Sequence, residues 1–199
     1  MRLPLLALAV CAFAIGTTEF VINGLQTGIA AGLGVSIPAA GLLVSGFAIG
    51  IIVGAPLLTV LGLRLRRRTV LLAAMALFAA ANVLVALAPT YPALMAGRVL
   101  SGVAVGGFYS VGSVVAPSLV PPERQGRAIA LMFAGATAGT TLGVPIGTLV
   151  GQAAGWRTTF GAVAVLGALG VVALAVLLPS GHAEERRHLR AELAALRRP

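Results

Sequence analysis

One acid and one base lie inside otherwise apolar runs: Glu19 in the run 3–23 and Arg98 in the run 93–117. A carboxylate within a bilayer core is costly unless it is paired, protonated or facing water, so an acid kept there is a candidate proton carrier. Arg98 lies about six residues into its run, and Glu19 about four residues from the end of its own. In antiparallel helices both sit roughly 6–9 Å below the same boundary. Matching depth predicts an ion pair across a helix interface, with protonation of Glu19 releasing Arg98. The plainer readings are a hydrated acid near the interface and an arginine that snorkels outward without a partner.

The run 139–151, GTTLGVPIGTLVG, carries Gly139, Gly143, Gly147 and Gly151 around Pro145. Such a segment has few side chains, can approach its neighbours closely and is expected to bend at Pro145. It serves either as a gate or seal for a cavity or as a packing surface. Further polar groups in or beside the runs are Gln26, Asn82, Ser110, Ser113, Thr140 and Thr141, with Asn23 and Tyr109 singled out as cavity candidates. Ser and Thr in membrane helices more often bond their own backbone. A membrane Ser–His catalytic pair has no base here, because His182 and His188 both lie in the C-terminal tail, so an enzyme is not expected. No nucleotide-binding loop is present either, so neither ATP nor any cofactor is expected.

The elements that position these residues follow from composition. Of 199 residues, 59% are hydrophobic and 10% charged, and the mean hydropathy is +1.04. Soluble domains carry about 25% charged residues, so a water-soluble globule and intrinsic disorder are both excluded. Apolar runs at 3–23, 39–63, 69–88, 93–117, 128–151 and 158–178 are each long enough to cross a bilayer as a helix. The net charge of +9 comes from 14 basic residues, all Arg. They lie mostly between apolar runs, which reads as a topology signal and not as nucleic-acid binding. Arg2, the link RLRRR at 64–68 (including Arg67 and Arg68), the link 118–127 and the tail 180–199 place both termini inside. The opposite links are nearly uncharged and carry Tyr91 and Trp156 as interfacial anchors. The tail 183–198 has leucines on one helical stripe and reads as a basic amphipathic helix or a linker. The single cysteine, Cys11, lies inside the first run and excludes a disulfide framework. Arg2 and the small residues near Cys11 resemble a cleavable leader, but the apolar run continues past them to Asn23.

The chain also repeats itself. Shifted by 89 positions, Gly46, Gly50, Gly54, Pro56, Thr59, Gly62, Arg68 and Thr69 fall on Gly135, Gly139, Gly143, Pro145, Thr148, Gly151, Arg157 and Thr158. Composition alone gives about two identities in such a window. The charge argument makes these segments run in opposite directions, so the fold expected is an all-α membrane protein of six helices in a 3+3 inverted repeat. Close packing explains the glycines but not the shared Pro, Thr and Arg-Thr spacing.

The segments GTTEFVINGL (16–25), GAPLLTVL (54–61), AGRVLSGVAVGGFYSVGSVVA (96–116), ERQGRAIALMFAG (123–135) and LGVPIGTLVGQAAGWRTTF (142–160) resemble the drug:proton antiporter branch of the major facilitator superfamily, near the arabinose and sugar efflux permeases of bacteria. The resemblance implies proton-driven efflux of a small organic solute, drug or sugar across the bacterial inner membrane. The fifth run matches the family's antiporter signature, and Arg98 falls on its fourth-helix arginine. Two departures stand out. With the family's G-x-L-A-D-R-x-G-R-R loop aligned on Arg67 and Arg68, Leu63 takes the Asp position and Arg66 the second Gly. Family members also have about twelve helices, so this chain reads as an N-terminal half. The alternative functions are a truncated half without transport of its own, or a subunit that pairs with a second half or a second copy.

Overall fold

A computed structural model of the chain describes residues 3–179, the side chains of 61–64 excepted. The amphipathic tail anticipated at 183–198 and Arg2 lie outside the described residues. The chain folds as α1 (Leu3–Val21), a 3-10 turn (Ile22–Gly24), α2 (Gln26–Leu33), α3 (Ile37–Arg64), α4 (Arg67–Leu87), α5 (Tyr91–Ser118), a second 3-10 turn (Pro122–Arg124), α6 (Gln125–Ala138), a π-helical turn (Gly139–Gly143), α7 (Val144–Ala154) and α8 (Trp156–Leu177). Among the described residues, six stretches are long and apolar enough to cross a membrane: Leu3–Gly24, Ile37–Val60, Arg67–Leu87, Tyr91–Ser118, Pro122–Ala154 and Trp156–Leu177. Every backbone group of a spanning segment must be satisfied internally, which leaves helices for chain this apolar. Gly34, in the left-handed region at φ 64°, ends α2. Gly155, at φ 89°, turns the chain between α7 and α8.

The packing is symmetric in the way an inverted repeat requires. The first, second and third helices of the leading repeat are α1, α3 and α4; those of the other are α5, the composite α6–α7, and α8. Helix α3 lies along α5, while α6–α7 lies along α1; α4 packs on α5, and α8 on α1; α4 and α8 pack on each other. Exchanging the two repeats reproduces each of these pairings. The shared glycines serve the same purpose in both. A Cβ on Gly50 would run into the Val99 carbonyl of α5, and one on Gly139 into the Phe13 carbonyl of α1. The helices therefore approach to backbone contact, as small residues permit in membranes.

The shared arginine has its own explanation. Arg157, at the start of α8, donates from Nη2 to the Ala88 carbonyl just past the end of α4 at 2.9 Å. Arg68, at the start of α4, donates from Nη2 to the Ala175 carbonyl near the end of α8. The last carbonyls of a helix lack intrahelical donors and attract cations. Pro179, four residues after Ala175, has no N–H to offer. Each repeat thus caps the third helix of the other, one cap at each end of the antiparallel pair.

Two apolar clusters fill the bundle. One contains Leu8, Ile15, Phe78, Phe108 and Val163. The other contains Val21, Leu43, Val85, Leu94 and Phe160. Of the buried polar side chains, Thr17, Thr18, Asn82, Arg98 and Ser101 fall between them along α1, α4 and α5, while Thr159 of α8 lies within the second. By contrast α3 and α6–α7 expose large apolar side chains such as Ile52, Val60, Ile146 and Leu149.

Candidate functional site

The polar layer is centred on Arg98, which is 0% exposed. Its helix, α5, carries Gly97 and Gly102 on either side, and the first gives α4 room to come close. A buried guanidinium needs acceptors for its hydrogens. Nη1 donates to the Thr18 carbonyl at 3.0 Å, and Nε to the Leu43 carbonyl at 3.5 Å. The Phe47 ring lies under the guanidinium at 4.2 Å, a cation–π contact strengthened by the absence of water. Nη2 is buried and has no hydrogen-bond partner.

The ion pair anticipated between Glu19 and Arg98 is not formed: Nη1 and Nε of Arg98 go to the Thr18 and Leu43 carbonyls, and Nη2 has no hydrogen-bond partner. The reason is local. Nη1 is taken up instead by the Thr18 carbonyl, in the last turn of α1, whose second lone pair remains free to accept it. Glu19, half-buried on the next residue, still acts on Arg98 through its charge, and on Tyr109 as well. The snorkelling alternative for Arg98 is excluded by its complete burial.

Around this centre Thr18 Oγ1 donates to Asn82 Oδ1 at 3.0 Å. Asn82 Nδ2 donates to the Phe78 carbonyl at 2.8 Å and to Ser101 Oγ at 3.4 Å. Thr18, Ser101 and Phe47 were not singled out by the sequence reading. Thr18 adjoins Glu19, and Ser101 stands one turn from Arg98; the matching depth of Glu19 and Arg98 brings α1 and α5 to one level, but no pattern in the sequence marks α4 as joining them there.

The other candidates lie apart. Asn23 is exposed in the 3-10 turn after α1, accepting from Gln26 Nε2 at 3.4 Å. Tyr109 is half-buried and stacks on Phe133 of α6 with ring centres 5.5 Å apart and planes at 9°. Arg67 is exposed at the start of α4, beside the capping Arg68. Gly139, Gly143, Gly147 and Gly151 are all buried, facing α1, the residues just after it and Thr159 of α8, whereas Pro145 is exposed. The irregularity expected at Pro145 falls one turn earlier, as the π-helical turn Gly139–Gly143. Within it the Gly139 carbonyl accepts from Thr17 Oγ1 at 3.4 Å. No cluster of metal-binding side chains occurs among the described residues.

An inverted repeat of three plus three membrane helices, with a buried cation at the interface between the leading helices of its two repeats, defines half of a secondary-transporter fold. The Major Facilitator Superfamily profile matches residues 8–198, and the chain belongs to that family. It is 50% identical to the inner membrane transport protein YdhP of Escherichia coli K12, over 98% of this chain and 50% of that protein. It is 44% identical to a chloramphenicol resistance protein of Streptomyces lividans, over 100% of this chain and 52% of the relative. Among solved structures, the xylose transporter XylE of E. coli in a partially occluded inward-open form superposes with a TM-score of 0.80. That match has 19% identity and covers 90% of this chain and 50% of the other, so it speaks to the fold alone. The chain spans about half the length of the curated relatives it matches. It is a multi-pass membrane protein of a transporter family, not an enzyme.

Proposed function

We propose that this chain is the N-terminal half of a proton-coupled efflux transporter of the drug:proton antiporter branch. It lies in a bacterial inner membrane with both ends inside and exports a small organic solute. The observation that carries the reading is Arg98: a fully buried guanidinium with an unpartnered Nη2, within electrostatic reach of Glu19. A cation left partly unsatisfied in a water-poor interior attracts a carboxylate and releases it once that carboxylate is protonated. Glu19 is then the proton carrier and Arg98 its counter-charge, with no cofactor beyond the proton gradient. The glycine-lined α7 and the π-helical turn form the moving seal, and Tyr109 and Asn23 face the solute path. A drug-like solute is supported by the likeness to a chloramphenicol resistance protein.

The exposed apolar faces of α3 and α6–α7 favour a second six-helix unit against them, either the C-terminal half or another copy. If that unit is the C-terminal half, the 199 residues alone are inert; if it is another copy, they transport as a pair. Proton-gradient-driven efflux of dyes, antibiotics and sugars, measured in inverted vesicles, tests both. Transport by the 199-residue chain that disappears in Glu19→Gln supports a working six-helix unit. Transport only when the following coding sequence is included supports half of a twelve-helix antiporter. Proton-coupled transport that survives Glu19→Gln in both forms removes Glu19 from the mechanism.

A further inference from the structure

We infer that Asn82 is a positioning residue: by anchoring Thr18, it holds Arg98 on the carbonyl end of α1, beside Glu19 but not paired with it. The functional meaning of this arrangement rests on the transport reading above; the arrangement itself does not. A threonine in a membrane helix ordinarily turns its hydroxyl back onto its own helix. Thr17 does so, donating to the Phe13 carbonyl at 2.9 Å. Thr18 instead reaches across to Asn82 Oδ1 at 3.0 Å. Asn82 is 0% exposed. Its amide is oriented by two donations from Nδ2, to Phe78 of its own helix and to Ser101 of α5. One side chain thereby ties α1, α4 and α5 together at the turn where Nη1 of Arg98 meets the Thr18 carbonyl. The remaining nitrogen, Nη2, has no partner and is the group left for Glu19. Without the Asn82 anchor the last turn of α1 can shift, and the separation of acid and base is no longer set.

The charged group acting on Glu19 is Arg98 of α5, and Tyr109 of the same helix is a neutral phenol that feels the carboxylate. Cys11 lies two turns back on α1 itself. Arg67 and Arg68 of α4, Arg127 of α6 and Arg157 of α8 stand at helix ends. The Glu19 carboxyl therefore reports on the geometry of this one layer.

The test is an infrared pH titration of the 199-residue chain reconstituted in lipid, with the Glu19 band identified by its loss in Glu19→Gln. Thr18→Val and Asn82→Leu break the same hydrogen bond from opposite ends. Replacing both partners with apolar groups of similar shape is nearly neutral for stability, so the double variant keeps the fold. The expected result is a titration midpoint moved by about half a pH unit or more in each single variant. The double variant should add little, because the bond is already gone. An unmoved band in Thr18→Val and in the folded double variant overturns the positioning role. Should proton-driven transport nevertheless vanish in Glu19→Gln, the transport reading stands without it. A moved band, with no proton-driven transport from either the short or the extended chain, keeps the positioning role and overturns the transport reading. A Glu19 carboxyl that never changes protonation overturns both.

Discussion

A guanidinium sealed from water can be matched only by groups with the right spacing, and Arg98 spans two. Its planar fork meets the Thr18 and Leu43 carbonyls on different helices while its face rests on Phe47. A lysine has the charge but neither the fork nor the flat face. Arg98→Lys is therefore expected to lower proton-driven efflux by roughly tenfold or more, the equivalent of one lost charge-assisted hydrogen bond. Vesicle transport assays on the active form of the protein check this. Retention of full activity would remove the geometry of Arg98 from the coupling step. Glu19 and Arg98 were both legible in the sequence because a charge inside an apolar run is conspicuous. Their relation was not. Whether an arginine chooses a carboxylate or a backbone carbonyl depends on which carbonyls the packing of α1 and α3 brings beside it, and that is a fact of the fold.

At the scale of the helices, the glycines divide into those that touch backbone and those that do not. A Cβ at Gly50 or Gly139 would collide with a carbonyl of the neighbouring helix, whereas one at Gly161 meets nothing within 4 Å. Gly50→Ala and Gly139→Ala should each destabilise the bundle by about 1–3 kcal/mol through forced separation of backbones. Gly161→Ala should be neutral or stabilising by about 0.5–1 kcal/mol through helix propensity. Thermal unfolding in detergent, with the three variants side by side, separates them; equal melting temperatures would contradict the close approach. The π-helical turn makes a second element-level prediction. It holds one residue more than an α-helical turn, and such turns recur at functional sites. Deleting Thr141, which is exposed, should let α6 and α7 join as one α-helix without turning their buried faces away from α1. The melting temperature should stay within a few degrees while efflux falls, if the turn is part of the moving seal. Undiminished efflux would leave the turn without a role in gating.

For the molecule as a whole, the reciprocal caps of Arg68 on α8 and Arg157 on α4 make the third helices of the two repeats one unit. A rocking mechanism requires each half to move as a body, and caps at both ends of α4 and α8 resist their sliding. Arg157→Ala, whose hydrogen bond is partly buried, should cost about 1–3 kcal/mol, and Arg68→Ala, whose bond is exposed to a substitute donor, about 0.5–1.5 kcal/mol. The two sites lie at opposite ends of the bundle, so their effects should add. Melting of the single and double variants measures this directly. Non-additive losses would mean that the caps are not independent clamps.

The six apolar stretches, the internal repeat and the presence of one intramembrane acid and one base were determined by the sequence itself. Length, hydropathy and residue matching are local properties, and the bilayer leaves the chain little choice but helix. The matched glycines already implied close packing, and the matched Arg68 and Arg157 stood out as unexplained by it. Only the tertiary structure decided their partners. The carbonyls of Ala88 and Ala175 carry no signal in their residue type, since every alanine has one. The same holds for Thr18 and Leu43 around Arg98, where backbone oxygens supply the acceptors. Backbone groups are identical at every position. Which of them becomes a ligand is set by where helices end and how closely they pass, and both follow from packing.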